Sequence, residues 1–226
     1  FFFFSMFIQI FENNELNNFG QIGQNYDRDQ INITTPTNLF SNFNVWGASM
    51  GGVIAQHLAV RHPRRVKSLT LMMTTSGARR LPGPAARVRR ALLSRPPAGS
   101  GVPGIVAHAM EFYALIESPS YRSPEGWMAG RYELSVRRSH RPQGGTRQLL
   151  AVVSDGDRSP LLGRIAVPTQ IIHGSADPLV PVAGGHDLAL KIRHAAIDVV
   201  EGMGHDLPMA LWPRFIDNIA AAAPRA

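Results

Sequence analysis

The apolar and polar positions of the chain change their pattern at about residue 43. Beyond it, four short stretches, at residues 43–46, 66–73, 167–174 and 196–200, carry apolar residues with the length and bounding turns of strands. Longer stretches between them repeat apolar residues at helical spacing. Val53, Ile54, Leu58 and Val60 mark a helix to about Arg61, ended at His62-Pro63 because the residue before a proline is pushed out of the helical region. A further helix is expected at 183–192. Leu211, Phe215, Ile216 and Ile219 give the closing helix, 208–222, one apolar face. Strand, helix and strand joined by short connections form a βαβ unit, which implies a parallel sheet flanked by helices, an α/β fold.

Between the second and third of these four stretches the pattern loosens. Helices are expected at 85–93, 105–116 and 125–138, separated by proline- and glycine-rich loops, and 148–154 reads as the end of another. This predicts a helical cap insertion over residues 77–150, set into a core built from 44–76 and 151–226. Placed above the carboxyl ends of the strands, the insertion would shape a pocket, with Phe112, Tyr113, Trp127 and Met128 as candidate lining or packing residues.

Residues 1–43 are of another kind. The first 44 residues hold nine asparagines, no alanine, no valine and a single arginine, Arg28, whereas Asn218 is the one asparagine after them. The shift marks an atypical segment of separate origin, in which 7–11 and 30–35 are candidate strands. The chain does not begin with Met, which fits a fragment or an excised segment.

Composition narrows the function. A chain of 226 residues that is 44% apolar can bury one full core. It has no cysteine, which removes disulfides, thiolate catalysis and cysteine-bound metals and suits a reducing, cytoplasmic setting. The net charge of +7 is mostly arginine, without an aromatic ladder or nucleic-acid motif beside it. It reads as a solvated cationic face, so no nucleic-acid partner is expected. No apolar run approaches the roughly 18 to 20 residues that cross a bilayer, so no membrane partner is expected either. Gly20-Gln21-Ile22-Gly23 lacks the Lys-Ser/Thr of a phosphate loop, and nothing points to a nucleotide, flavin or metal. No cofactor is therefore expected.

The chemistry centres on Gly47-Ala48-Ser49-Met50-Gly51, between the first strand and its helix. A serine on a sharp strand-to-helix turn needs small neighbours two residues either side, and Gly47 and Gly51 supply them. The plainer reading is a glycine-cushioned helix start with Ser49 as N-cap. Nucleophilic work requires in addition a neutral imidazole and a carboxylate to orient it. His57, His108, His186 and His194 fall inside predicted helices, and His62 and His140 near element ends. His205, in a glycine-flanked loop after the last strand, is the candidate base. Asp177 follows the preceding strand, and Pro178 holds its backbone extended. Asp206 is adjacent to His205, so its side chain points away, and capping of the last helix is its expected role. Asp155 and Asp157 precede the strand, at the wrong end of the sheet. The order Ser49, Asp177, His205 remains.

On these residues the chain from about 44 onward resembles the bacterial α/β-hydrolase family. Residues 47–56 resemble its nucleophile elbow, 172–181 its acid turn and Gly202-Met203-Gly204-His205 its histidine loop. The Gly-Met-Gly-His and Leu-Pro of the last region are similar to esterases related to aclacinomycin methylesterase. The resemblance implies hydrolysis of a small-molecule carboxylic ester through an acyl-enzyme, with Ser49 attacking, His205 carrying the proton and Asp177 orienting it. The Met50 N–H would supply half of an oxyanion hole. The family's His-Gly loop, source of the second donor, has no counterpart before Ser49, so that donor is unknown. This leaves open an incomplete front of the sheet, which would expose one face of the strand at 43–46. Two alternatives stand beside the esterase: a truncated or chimeric, non-catalytic binding fold, and a cofactor-free haloperoxidase or perhydrolase using the same three residues.

Overall fold

A computed structural model describes residues 7–11 and 43–223. The candidate strand at 30–35 lies outside the described residues. One sheet holds five strands in the order β1 (Phe7–Phe11), β2 (Phe43–Ala48), β3 (Val66–Met72), β4 (Thr169–Gly174) and β5 (Ala196–Val200). Strands β2 to β5 are parallel. β1 runs antiparallel to β2, with Phe7 opposite Ala48 and Phe11 opposite Asn44. The side of β2 that the sequence left open is therefore paired along its length. All six residues of β2 are buried, so the expected exposure is not found.

Eight α-helices follow the strands among the described residues: α1 (Met50–Arg61), α2 (Ala86–Leu92), α3 (Gly101–Ile116), α4 (Trp127–Arg138), α5 (Pro142–Asp155), α6 (Ser159–Leu162), α7 (Ala183–Lys191) and α8 (Trp212–Ala222). The strand period of two sends alternate side chains to opposite faces, each buried by different helices. Val45, Leu69, Leu71 and Ile171 pack with Ala55 and Ala59 of α1 and Leu188 of α7. Trp46, Met72, Ile172 and Val200 pack with Phe215 and Ile219 of α8. A third cluster, Val88, Phe112, Ile116 and Leu179, joins α2 and α3 to the loop after β4. Phe112 is thus a packing residue. The sequence caught only the end of α5, because Gly144 and Gly145 weaken its first turn and none of its residues is buried to give an apolar rhythm.

Helices α2 to α5 lie between β3 and β4 in the chain, and that stretch leaves and returns at neighbouring points. The Arg158 backbone N–H donates to the Ser76 carbonyl over 2.8 Å. The buried Arg158 guanidinium donates to Gln56 Oε1 at 3.0 Å, Asp155 Oδ2 at 2.6 Å and the Thr75 carbonyl at 2.8 Å. Nearby, buried Asp187 of α7 accepts from Ser76 Oγ at 2.5 Å, Arg80 at 2.8 Å and Lys191 Nζ at 2.6 Å. Burial raises the pKa of the Asp187 carboxyl, but these donors outweigh it and hold it below the usual range. Two charged networks pin both ends of the helical stretch to the sheet layer.

Candidate active site

Parallel strands direct their carboxyl ends to one edge of a sheet, where loops gather functional side chains. Ser49 follows β2, Asp177 lies just past β4 and His205 just past β5. Ser49 takes φ 53° and ψ −120°, angles that glycine adopts freely and other residues rarely. Its N–H donates to the Met72 carbonyl at 2.9 Å, tying the turn to the end of β3. The crossing of β2 and α1 explains the flanking glycine: a Cβ on Gly47 would stand 2.5 Å from the Gly51 carbonyl oxygen. Ser49 makes no side-chain cap to α1, contrary to its plainer reading as an N-cap. Its hydroxyl instead faces His205, with Oγ 2.9 Å from Nε2.

The rest of the chain of bonds is closed. His205 Nδ1 lies 2.6 Å from Asp177 Oδ2. An ionised carboxylate only accepts, so Nδ1 carries the proton and Nε2 presents its lone pair to the serine hydroxyl. The other Asp177 oxygen accepts from the Leu179 and Val180 N–H groups at 2.9 and 2.8 Å. Both oxygens are thus committed, and the carboxylate cannot rotate without losing bonds. Asp177 and His205 are buried while Ser49 is partly exposed, which leaves the hydroxyl reachable beside two buried partners. Met50 opens α1, and the first N–H groups of a helix have no acceptor within it, so its donor is available to an anion beside Ser49.

The structure therefore brings Ser49, Asp177, His205 and Met50 together. The rival residues are occupied elsewhere. Asp155 pairs with His57 at 2.8 Å and with Arg158, and Asp157 accepts from the Ser159 N–H. Asp206 does not cap the last helix. Pro208 and a 3-10 turn, Met209–Leu211, carry the start of α8 beyond its reach, and its carboxylate turns to Ser118 and Tyr113. His194 sits outside α7, in a turn with φ 61°.

Sequence reasoning passed over His173. Its fully buried ring donates from Nε2 to the Val180 carbonyl at 2.7 Å, bracing the turn that holds Asp177. Nδ1 then carries no proton and meets the backbone of Gly185, where a Cβ would lie 2.7 Å away. Burial lowers the pKa of this histidine, and the nearby Asp177 charge offsets that only in part. The signal was available in its place on β4, within an all-buried strand. Among the described residues no three His, Asp or Glu side chains converge as metal ligands, and no helix is long and apolar enough to cross a membrane.

Known proteins share this fold. A family model described as alpha/beta hydrolase fold matches residues 37–209. The pimeloyl-[acyl-carrier protein] methyl ester esterase of Chromobacterium violaceum is 33% identical over 179 residues, 77% of this chain and 64% of that protein. A monoacylglycerol lipase of Homo sapiens is 27% identical over 173 residues, 74% of this chain and 50% of that protein. The chain thus spans 64% and 50% of the lengths of these two curated relatives. Among solved structures, a meta-cleavage product hydrolase from Pseudomonas fluorescens superposes with a TM-score of 0.62 at 17% identity, covering 80% of this chain and 64% of that one. An enol-lactonase from Burkholderia xenovorans gives 0.56 at 21% identity, covering 80% and 65%. These likenesses show the fold, and the match over residues 37–209 shows that the chain belongs to the alpha/beta hydrolase fold family.

Proposed function

We propose that the protein hydrolyses carboxylic esters of small molecules through an acyl-enzyme on Ser49. One observation carries this reading: the unbroken chain from the strained, reachable Ser49 hydroxyl through His205 to a fully bonded Asp177. The names of the esterase and lipase relatives support the same reaction class.

Each step uses groups already in place. Ser49 Oγ attacks the ester carbonyl carbon as its proton passes to His205 Nε2, and the Asp177 charge stabilises the resulting imidazolium. The carbonyl oxygen becomes an oxyanion facing the Met50 N–H. One such donor is worth about 3 kcal/mol, roughly a hundredfold in rate. Collapse of the tetrahedral adduct breaks the bond to the leaving alkoxide, which takes the proton from His205. Water then gives a proton to Nε2, attacks the acyl carbon and releases the acid, restoring Ser49. The helical stretch 77–150 is the part we assign to covering this site.

A fluorophosphonate probe tests the reading. It should label the wild-type chain and fail on Ser49→Ala, with p-nitrophenyl acetate and butyrate turned over by the wild type alone. Soluble, folded wild type that neither labels nor turns over esters would refute the esterase and leave the non-catalytic fold. Oxidation of halide that depends on peroxide, without ester turnover, would assign perhydrolase chemistry.

A further inference from the structure

His205 is held from both sides. Its ring faces Ser49 and Asp177, while the backbone around it is bound to a different element, the end of α3. Three consecutive residues take part. The Gly204 N–H donates to Ser118 Oγ at 2.8 Å. The His205 N–H donates to the Ile116 carbonyl at 2.7 Å. The Asp206 carboxylate accepts from the Ser118 N–H at 3.1 Å on one oxygen and from the Tyr113 hydroxyl at 3.0 Å on the other. Ser118 Oγ closes the circuit by donating to that first Asp206 oxygen.

The packing leaves this loop no slack. A Cβ at Gly204 would run into the backbone of Ile116 and Glu117, and one at Gly202 into the Ser120 side chain. The two glycines before His205 are thus the means by which its loop lies flat against α3. Ser118 is fully buried, and its single hydroxyl serves as acceptor for the residue before His205 and donor to the residue after it. The bonds turn the Asp206 carboxylate to Ser118 and Tyr113 while the His205 ring turns to Ser49 and Asp177.

We infer that Asp206 and Ser118 are positioning residues that fix the main chain of His205 against the end of α3 and so set the His205 Nε2 to Ser49 Oγ distance. This rests on the esterase reading above, and neither residue touches the reacting atoms. Beside the covering assigned to it above, the helical stretch between β3 and β4 thus has a second role: its α3 holds the base in place. Burial raises the pKa of the Asp206 carboxyl despite its donors, in keeping with a group enclosed between two elements.

The test compares Asp206→Ala, Ser118→Ala and Asp206→Asn with wild type, in the full chain, on p-nitrophenyl butyrate. Active sites are counted by fluorophosphonate labelling, and folding is checked by circular dichroism and thermal melting. A base displaced by about 1 Å loses up to about a hundredfold in rate. Asp206→Ala and Ser118→Ala should therefore lower kcat per labelled site by about tenfold or more, with KM within about twofold. Asp206→Asn keeps one oxygen toward Ser118 and lets the Tyr113 hydroxyl accept, so it should recover most of kcat. Ser118→Ala removes one oxygen atom and serves where Asp206→Ala does not fold. Folded Ser118→Ala with wild-type kcat and labelling rate would overturn the inference, as would a rise in KM alone. Wild type that does not label Ser49 would instead defeat the esterase reading.

Discussion

Replacing Ser49 by glycine should make the protein more stable than replacing it by alanine. The comparison isolates one atom, the Cβ, at a residue with φ 53° and ψ −120°. Both variants lose the hydroxyl and its 2.9 Å contact with His205 Nε2, so that loss cancels. A non-glycine residue held in such a region costs about 1–3 kcal/mol, which glycine relieves. Two smaller effects oppose this. Glycine gives the unfolded chain extra freedom, worth about 0.5–1 kcal/mol. Removing a half-buried Cβ forfeits about 0.4 kcal/mol, half the value of a fully buried methylene. The midpoints leave about 1 kcal/mol in favour of Ser49→Gly. For a chain of this size that is a rise of about 2–4 °C in Tm over Ser49→Ala. Urea titrations of the two variants, read as midpoints at a common slope, measure the difference without reference to catalysis. Ser49→Ala equal to or more stable than Ser49→Gly would refute the argument that the turn stores strain at this residue.

Three further outcomes are expected. Gly47→Ala places a Cβ 2.5 Å from the Gly51 carbonyl oxygen, backbone that cannot swing aside, and should cost about 1–3 kcal/mol in urea denaturation together with most fluorophosphonate labelling. Arg158→Met leaves the buried Gln56 Oε1 without its donor, while the Thr75 carbonyl keeps Gln56 Nε2 and Asp155 keeps His57, and should lower stability by about 1–3 kcal/mol, where a loss under about 0.5 kcal/mol would show the network to be dispensable. His173 is held neutral, with its folded pKa below the unfolded value of about 6.5. Below that pH the unfolded chain gains a proton the folded one refuses, so stability is complete above about pH 6.5 and falls as pH drops toward the folded pKa. Urea midpoints taken from pH 7.5 to 5 should fall more steeply in wild type than in His173→Gln, and parallel slopes would refute this assignment.

The parts legible in the sequence are those set by neighbours along the chain. Strands β2 to β5 could be read because each is a short stretch with paired or alternating apolar residues, bounded by turn residues. Ser49, Asp177 and His205 could be placed because each follows such a stretch, and the carboxyl ends of parallel strands share an edge. Features that depend on distant partners could not be read. Nothing in the composition of residues 7–11 tells that β1 would run antiparallel to β2 and cover its open side. Asp206 was assigned to the nearest helix in sequence, but its donors come from residues 88 and 93 positions away. Arg158 is one arginine in an arginine-rich chain, and only the convergence of Gln56 Oε1, the Thr75 carbonyl and Asp155 on its guanidinium makes it a buried clamp.

The closeness of Ser76 and Arg158 has a consequence for how such a chain can change. Because the stretch between them departs and rejoins one hydrogen bond apart, it can be lengthened, shortened or exchanged without altering the path of the sheet. Topologically it is a module. Mechanically it is not, because residues 116–118 inside it carry the backbone of His205. A chimera that grafts a foreign stretch between residues 76 and 158 would keep its strands and its serine turn, yet would lose alignment of the base unless the graft brings a terminal helical turn and a hydroxyl in the place of Ser118. Exchange of the stretch and the placement of the His205 backbone are thereby joined in one short peptide.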